Sequence, residues 1–136
     1  MTARTTQASA PAARSVLISA GRVVIRAELA ATATADRIWA ALPIRSTAET
    51  WGQALQFETP VESGRDRTAR ALAEIGDLHF WTENDRVLIP FGRTPISRPG
   101  EIRLPSPCNV WAKAIDDVTL LKDVAPGEKV ELTATT

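Results

Sequence analysis

The chain has 136 residues, 44% hydrophobic and 24% charged, and its 16 basic residues balance its 16 acidic ones. This length holds one domain, and the ordinary composition excludes collagen-like, coiled-coil and wholly disordered chains. Zero net charge removes the positive field that non-specific binding to nucleic acid or to an anionic membrane needs, so neither is expected as a partner.

The first 13 residues are rich in Thr, Ala, Ser and Pro. Such a segment cannot bury enough surface to offset the entropy of ordering it, which predicts a disordered tail over residues 1–13 and a folded domain over 14–136. No apolar run approaches the roughly 20 residues of a membrane span, and Cys108 has no partner for an internal disulfide. A reducing, cytoplasmic location is therefore expected.

The first half of the domain predicts two strands and a short helix. Apolar runs flank Ala20-Gly21 within residues 15–29, which favours two strands joined by a tight turn. Ile38, Trp39 and Leu42 follow at helical spacing, with Thr34 or Asp36 as the N-cap and Pro43 as the stop. The predicted helix spans residues 36–42.

The second half predicts further strands separated by turns. Leu55, Phe57 and Thr59 alternate with polar residues, residues 78–81 and 87–91 form two more strands, and residues 92–107 form a long proline-rich loop. Residues 109–115 are a strand, 116–124 a turn or short helix, and 129–134 a closing strand. Many short strands favour a closed barrel or a sandwich. The residues expected in its core are Leu55, Phe57, Leu78, Phe80, Val87, Ile89 and Val110.

Three blocks of sequence carry a family resemblance. They are Thr50-Trp51-Gly52 through Val61, Glu74-Ile75-Gly76-Asp77 through Phe91-Gly92-Arg93-Thr94-Pro95-Ile96-Ser97, and Asn109-Val110. In order and spacing they resemble the small stand-alone cyclophilin-like proteins of prokaryotes. The resemblance implies a mostly-β fold, a closed barrel of about eight strands with one or two short helices. The Arg, Phe and Gln motifs of the true prolyl-isomerase cyclophilins are absent.

Two strands supply the candidate site. Alternation puts Asp77, His79 and Trp81 on one face of their strand. His79 is the sole histidine, where such proteins usually have a small residue, and it is the natural general acid or base, with Asp77 beside it. The alternative is a plain surface histidine.

Alternation in the second strand puts Asn109 and Trp111 on one face, with Val110 on the other. If the polar faces of the two strands coincide, Trp81 and Trp111 wall a groove that contains His79 and Asn109, with Lys113 as a further candidate. Each tryptophan can equally be a packing residue.

Two further residues are placed at the rim. Trp51 precedes Gly52 at a strand entrance where backbone can approach a ligand, and Arg93 offers a fork of donors to a carboxylate or enolate oxygen. A structural turn and a surface arginine are the corresponding alternatives. No metal-ligand pair, phosphate loop or dinucleotide fingerprint is present, so no cofactor and no metal are expected.

These features favour a cofactor-free protein that binds a small organic ligand in a Trp-lined pocket. If it is an enzyme, an isomerisation, cyclisation or elimination suits one acid-base group. The alternative is a module that binds a peptide or another protein, with prolyl isomerisation its least favoured form, and a structural subunit is the third hypothesis. The sequence does not fix the oligomeric state, and a homo-oligomer is one of the possibilities. A deep closed cavity would favour the small molecule, and a shallow open groove the peptide.

Overall fold

The computed structural model describes residues 13–135, which form ten strands, one α-helix and one 3-10 helix. In chain order the elements are β1 (Ser15–Ala20), β2 (Val23–Leu29), α1 (Ala33–Ala41), β3 (Ile44–Thr47), β4 (Glu49–Thr50), β5 (Ala54–Glu58), β6 (Arg70–Leu72), β7 (Asp77–Trp81), β8 (Arg86–Pro90), β9 (Arg103–Ala114), the 3-10 helix (Val118–Asp123) and β10 (Lys129–Thr135). The predicted tail falls on residues that, apart from Ala13, lie outside the described ones.

The strands form one antiparallel sheet in the order β3-β10-β1-β2-β9-β7-β8-β5-β4, with β6 paired to β9 beside this path. The prediction of a closed barrel was wrong, because the hydrogen-bonded path has two ends. Although β3 and β4 are separated only by Ala48, β3 pairs with β10, β4 pairs with β5, and no ladder joins β3 to β4 within residues 13–135. Alternation in the sequence does not specify the tilt and stagger on which closure depends.

Alternating apolar side chains build the main core. Val16, Ile18 and Ala20 of β1 point into it, as do Leu55 and Phe57 of β5. Of the seven predicted core residues, six belong to this cluster. Val110, the seventh, is buried at 9% exposure but lies outside this cluster.

Helix α1 covers one part of this core. Thr32 is its N-cap, accepting a hydrogen bond from the Ala35 amide at 3.1 Å, and the helix ends at Ala41. Helix start and cap were predicted several residues too late, because Thr34 and Asp36 are equally good capping residues in the sequence. Thr34 is instead buried inside the first turn.

A smaller apolar cluster lies on the opposite face of the sheet. It contains Ala54, Leu88, Leu104 and Cys108, with Ala73 and Trp81 packed against it. The first half of the long strand β9 contributes Leu104 and Cys108 to this cluster, and the same half pairs with β6. Trp81 of β7, one of the predicted site residues, therefore packs against this smaller cluster.

No helix within the described residues is long and apolar enough to cross a membrane.

Candidate functional site

Strand β7 presents Asp77, His79 and Trp81 on the face opposite the main core. Leu78 and Phe80 belong to the main core, so the alternate residues point the other way. Cross-strand pairing supports this, since His79 lies opposite Leu88 of the smaller cluster. The structure thus places these three predicted residues on one face.

His79 is completely buried on that face. Its side chain has 0% exposure, and neither ring nitrogen has a hydrogen-bond partner among residues 13–135. An imidazole always carries at least one N–H, so one donor is left unsatisfied. A buried, unpaired polar group of this kind costs about 1–3 kcal/mol.

Burial also controls the charge of His79. The pKa of the imidazole is lowered from 6.5 to about 4, mainly by desolvation; the Asp77 carboxylate partly opposes this effect, and the Arg70 charge adds a smaller lowering. His79 is therefore neutral near pH 7. A general base must come within hydrogen-bond reach of the proton it takes, and a side chain with no exposed surface does not reach a ligand in solvent.

Asp77 is nearly as buried as His79. The residue is 6% exposed, and its Oδ1 lies 3.6 Å from Nζ of Lys113, the residue opposite it on β9. The Lys113 side chain is largely exposed. Solvent therefore screens this pair, and it adds little stability.

Asn109 and Trp111 point to the other side of the sheet. Leu78 pairs with Ala112 but His79 pairs with Val110, so β9 has one extra residue at this point, a β-bulge. The bulge turns Trp111 into the main core, where its Nε1 donates to the His79 carbonyl oxygen at 3.2 Å. The two tryptophans predicted to wall one groove thus lie on opposite faces.

Asn109 is fully buried in a hydrogen-bond network beneath α1. Its Nδ2 donates to Thr34 Oγ1 and to the Gly64 carbonyl oxygen, both at 2.9 Å, and its Oδ1 accepts from the Asp66 amide at 3.0 Å. With these partners the amide ties the helix and the 61–69 connection to β9. Asn109 serves as a structural anchor rather than facing a ligand.

Trp81 and Cys108 pack together in the smaller cluster. Trp81 is partly buried there, and the Cys108 Sγ donates to the Ser106 carbonyl oxygen at 3.2 Å. Burial, aided by the Glu83 charge, raises the pKa of the Cys108 thiol to about 12. The thiol is therefore not an activated nucleophile. Within the described residues no group of three or more His, Cys, Asp or Glu side chains could hold a metal ion.

Trp51 and Arg93 lie at a pair of interlocked turns, which we call the double turn (51–53 and 91–95). Gly52 has a φ of +59°, and a Cβ there would come within 2.7 Å of the Pro95 ring. A Cβ at Gly92 would come within 2.3 Å of the Gln53 side chain. Gly52 is therefore required for close approach of the two segments, and a side chain at Gly92 would displace that of Gln53.

Backbone hydrogen bonds fasten the double turn. The Gln53 carbonyl oxygen accepts from the Phe91 and Gly92 amides at 2.9 and 3.1 Å, and the Gln53 amide donates to the Arg93 carbonyl oxygen at 2.8 Å. The Gln53 Oε1 also accepts from the Arg93 amide at 2.9 Å. Two of the sequence blocks that carry the family resemblance thus pack directly on each other.

An open groove of about 450 Å³ lies beside the double turn, and we call it the Arg93 groove. Its lining is Gln53, Ala73, Ile75, Phe91, Gly92, Arg93, Gly100, Glu101 and Ile102. Arg93 is the one predicted site residue in it, and Trp51 stands half-buried at the start of the adjoining turn. Sequence reasoning missed Gln53, Ile75 and Phe91, although all three lie within the blocks of the resemblance.

Comparison with known proteins identifies the family of this chain. The model of the cyclophilin-like family matches residues 14–133. The solution structure of the hypothetical protein AF2241 from Archaeoglobus fulgidus is similar, with a TM-score of 0.79 and 31% sequence identity over 92% of this chain and 97% of that one. The sequence matches no protein among those with curated functions. The chain belongs to the cyclophilin-like family.

Proposed function

We propose that this protein is a binding module that recognises an extended peptide in the Arg93 groove. The observation that carries the proposal is an open groove that combines an apolar wall with unused hydrogen-bond donors beside a sterically fixed double turn. Open grooves suit peptides, whereas small molecules are usually enclosed.

The apolar wall supplies the attraction. Ile75 is 51% exposed in the free protein, and Phe91 and Ile102 are partly buried beside it. Burying a fully exposed Ile side chain contributes about 1.5–3 kcal/mol, so covering the exposed half of Ile75 contributes about 1 kcal/mol. A peptide with an apolar side chain at this point would gain about that amount from the contact with Ile75.

The polar groups supply orientation. The Oε1 of Gln53 is occupied by the Arg93 amide, which leaves the Nε2 hydrogens of Gln53 to donate. The Arg93 guanidinium uses Nη2 to reach the Ser97 carbonyl oxygen at 3.2 Å. Since a guanidinium has five N–H donors, most of them stay available for peptide oxygens.

Acid-base catalysis by His79 receives no support from this arrangement. His79 has no exposed surface, and Asp77 beside it is almost completely buried. A small-molecule enzyme built on these residues would first have to open the cover formed by the smaller apolar cluster. A binding module at the Arg93 groove requires no such opening.

Affinity selection tests the proposal. The native protein is incubated with a pool of soluble random hexapeptides, half of them free acids and half C-terminal amides, and retained peptides are identified by mass spectrometry. Each is then titrated by fluorescence polarisation against the wild type and two variants. We expect Ile75→Asp to weaken binding about tenfold or more, since it replaces apolar contact with a desolvated charge.

Ile115→Asp is the matched control, because Ile115 is 52% exposed but does not line the groove. It should leave binding unchanged. Failure to retain any peptide, or equal weakening by both variants, would refute the proposed function.

A further inference from the structure

We infer that the peptide bound in the Arg93 groove ends there in a free α-carboxylate, held by the Arg93 guanidinium, with an apolar C-terminal residue against Ile75 and Phe91. This inference rests on the proposed function and specifies its ligand.

The charges of the groove favour an anionic ligand. Arg93 has no carboxylate within 4.0 Å among residues 13–135. Glu101, the acidic residue of the lining, is already occupied, because its two oxygens accept from Arg103 at 2.8 and 3.1 Å and one also accepts from the Arg98 amide. With Glu101 neutralised in this way, Arg93 gives the groove a net positive charge.

The Arg93 side chain is partly organised before a ligand arrives. Its amide is fixed by Gln53, and its Nη2 is fixed by the Ser97 carbonyl oxygen four residues along the same loop. Thr94, next in the chain, is buried and donates through Oγ1 to the Arg103 carbonyl oxygen at 2.6 Å. A planar fork held in this way suits the two oxygens of a carboxylate.

Arg93, Phe91 and Ile75 line the same groove, which favours a terminal carboxylate over an acidic side chain. A C-terminal residue carries its carboxylate and its side chain on the same Cα, so a single residue can contact both Arg93 and the apolar wall. An internal Asp or Glu would place its carboxylate at Arg93 but would leave the apolar wall of the same groove to a different residue.

The acid and amide halves of the peptide pool supply the test. For each retained sequence the free acid, the amide, and an amide with an internal Asp are titrated against the wild type. We expect the free acid to bind about tenfold or more tightly than either amide, as a charge-assisted hydrogen bond to carboxylate implies. Arg93→Met should abolish this preference. Arg98→Met is the control, since Arg98 is exposed on the same loop but outside the groove, and it should retain the preference.

Equal binding of acid and amide would overturn the inference, and equal binding of the internal-Asp amide would overturn the terminal assignment. In either case weaker binding by Ile75→Asp would still support the proposed function. If no peptide is retained, both fail together.

Discussion

Acidification should destabilise this protein through His79, and His79→Leu should remove that sensitivity. The folded state holds the imidazole neutral, with its pKa lowered to about 4, while the unfolded chain has the ordinary value of 6.5. As pH falls below about 6.5, the unfolded state binds a proton that the folded state does not accept. Stability is therefore lost between about pH 6.5 and about pH 4, and this group causes no further loss below that.

The magnitude follows from the two pKa values. One pKa unit corresponds to about 1.4 kcal/mol, so the full shift is worth about 3 kcal/mol. At about pH 5 protonation of the unfolded state favours unfolding by a factor of about 30, which is about 2 kcal/mol. The charged groups that influence His79 are Asp77 on its own strand and Arg70 on β6, and their effects oppose each other.

Urea unfolding of wild type and His79→Leu at about pH 7.5 and about pH 5 measures the effect. The other titrating groups are common to both proteins, so the difference between their pH dependences isolates His79. We expect the wild type to lose about 2 kcal/mol more than the variant over this interval. The variant should be at least as stable near pH 7.5, because it removes an unpaired buried N–H. Equal pH dependence of the two proteins would refute the reasoning.

Three further predictions concern the fold around the groove and the sheet. Gly52→Ala should cost about 2 kcal/mol or more in urea unfolding, since it adds strain at positive φ to a clash with Pro95, and Gly76→Ala, also at positive φ but with nothing within 4 Å, should cost less. Asn109→Ala should cost about 2–4 kcal/mol in the same assay, because it removes the three hydrogen bonds of a buried amide, and a loss below about 0.5 kcal/mol would contradict the network. Cys108 should resist a disulfide exchange reagent near neutral pH until the protein is unfolded, and rapid native reaction would show that the thiol is accessible.

The core of this fold could be predicted from the sequence where alternation is strict. Leu55 and Phe57, and likewise Leu78 and Phe80, are two residues apart, and all four lie in the main core. Strands with weak or mixed patterns could not be predicted. Arg70–Leu72 is three residues long, and its pairing depends on a partner more than 30 residues away in the chain.

Proline misled the prediction of β9. Pro105 and Pro107 suggested a loop up to residue 107, but the strand begins at Arg103. Proline is tolerated there because β7 pairs with β9 only from Asn109 onward, which leaves this part of the strand at an edge on that side.

The candidate site failed to assemble as predicted because of a single extra residue. The parity argument for Asn109 and Trp111 assumes an unbroken ladder, and the bulge between the pairs Leu78–Ala112 and His79–Val110 reverses the relation between the two strands. No local pattern in the sequence marks the bulge. Parity is reliable within one strand, as Asp77, His79 and Trp81 show, but not across a pair of strands.

Part of the family resemblance is carried by residues on which the packing of the double turn depends. A Cβ at Gly52 would meet the Pro95 ring and the Arg93 carbonyl oxygen, and a Cβ at Gly92 would displace the Gln53 side chain. These positions therefore report the local backbone geometry and not the chemistry of a ligand. Ile75 and Arg93 are exposed, and the packing of the double turn does not depend on their side chains. The peptide preference proposed for the groove should therefore be changeable at these two positions with little cost to the fold. For this reason variants of Ile75 and Arg93, and not of the glycines, are the informative tests of the proposed function.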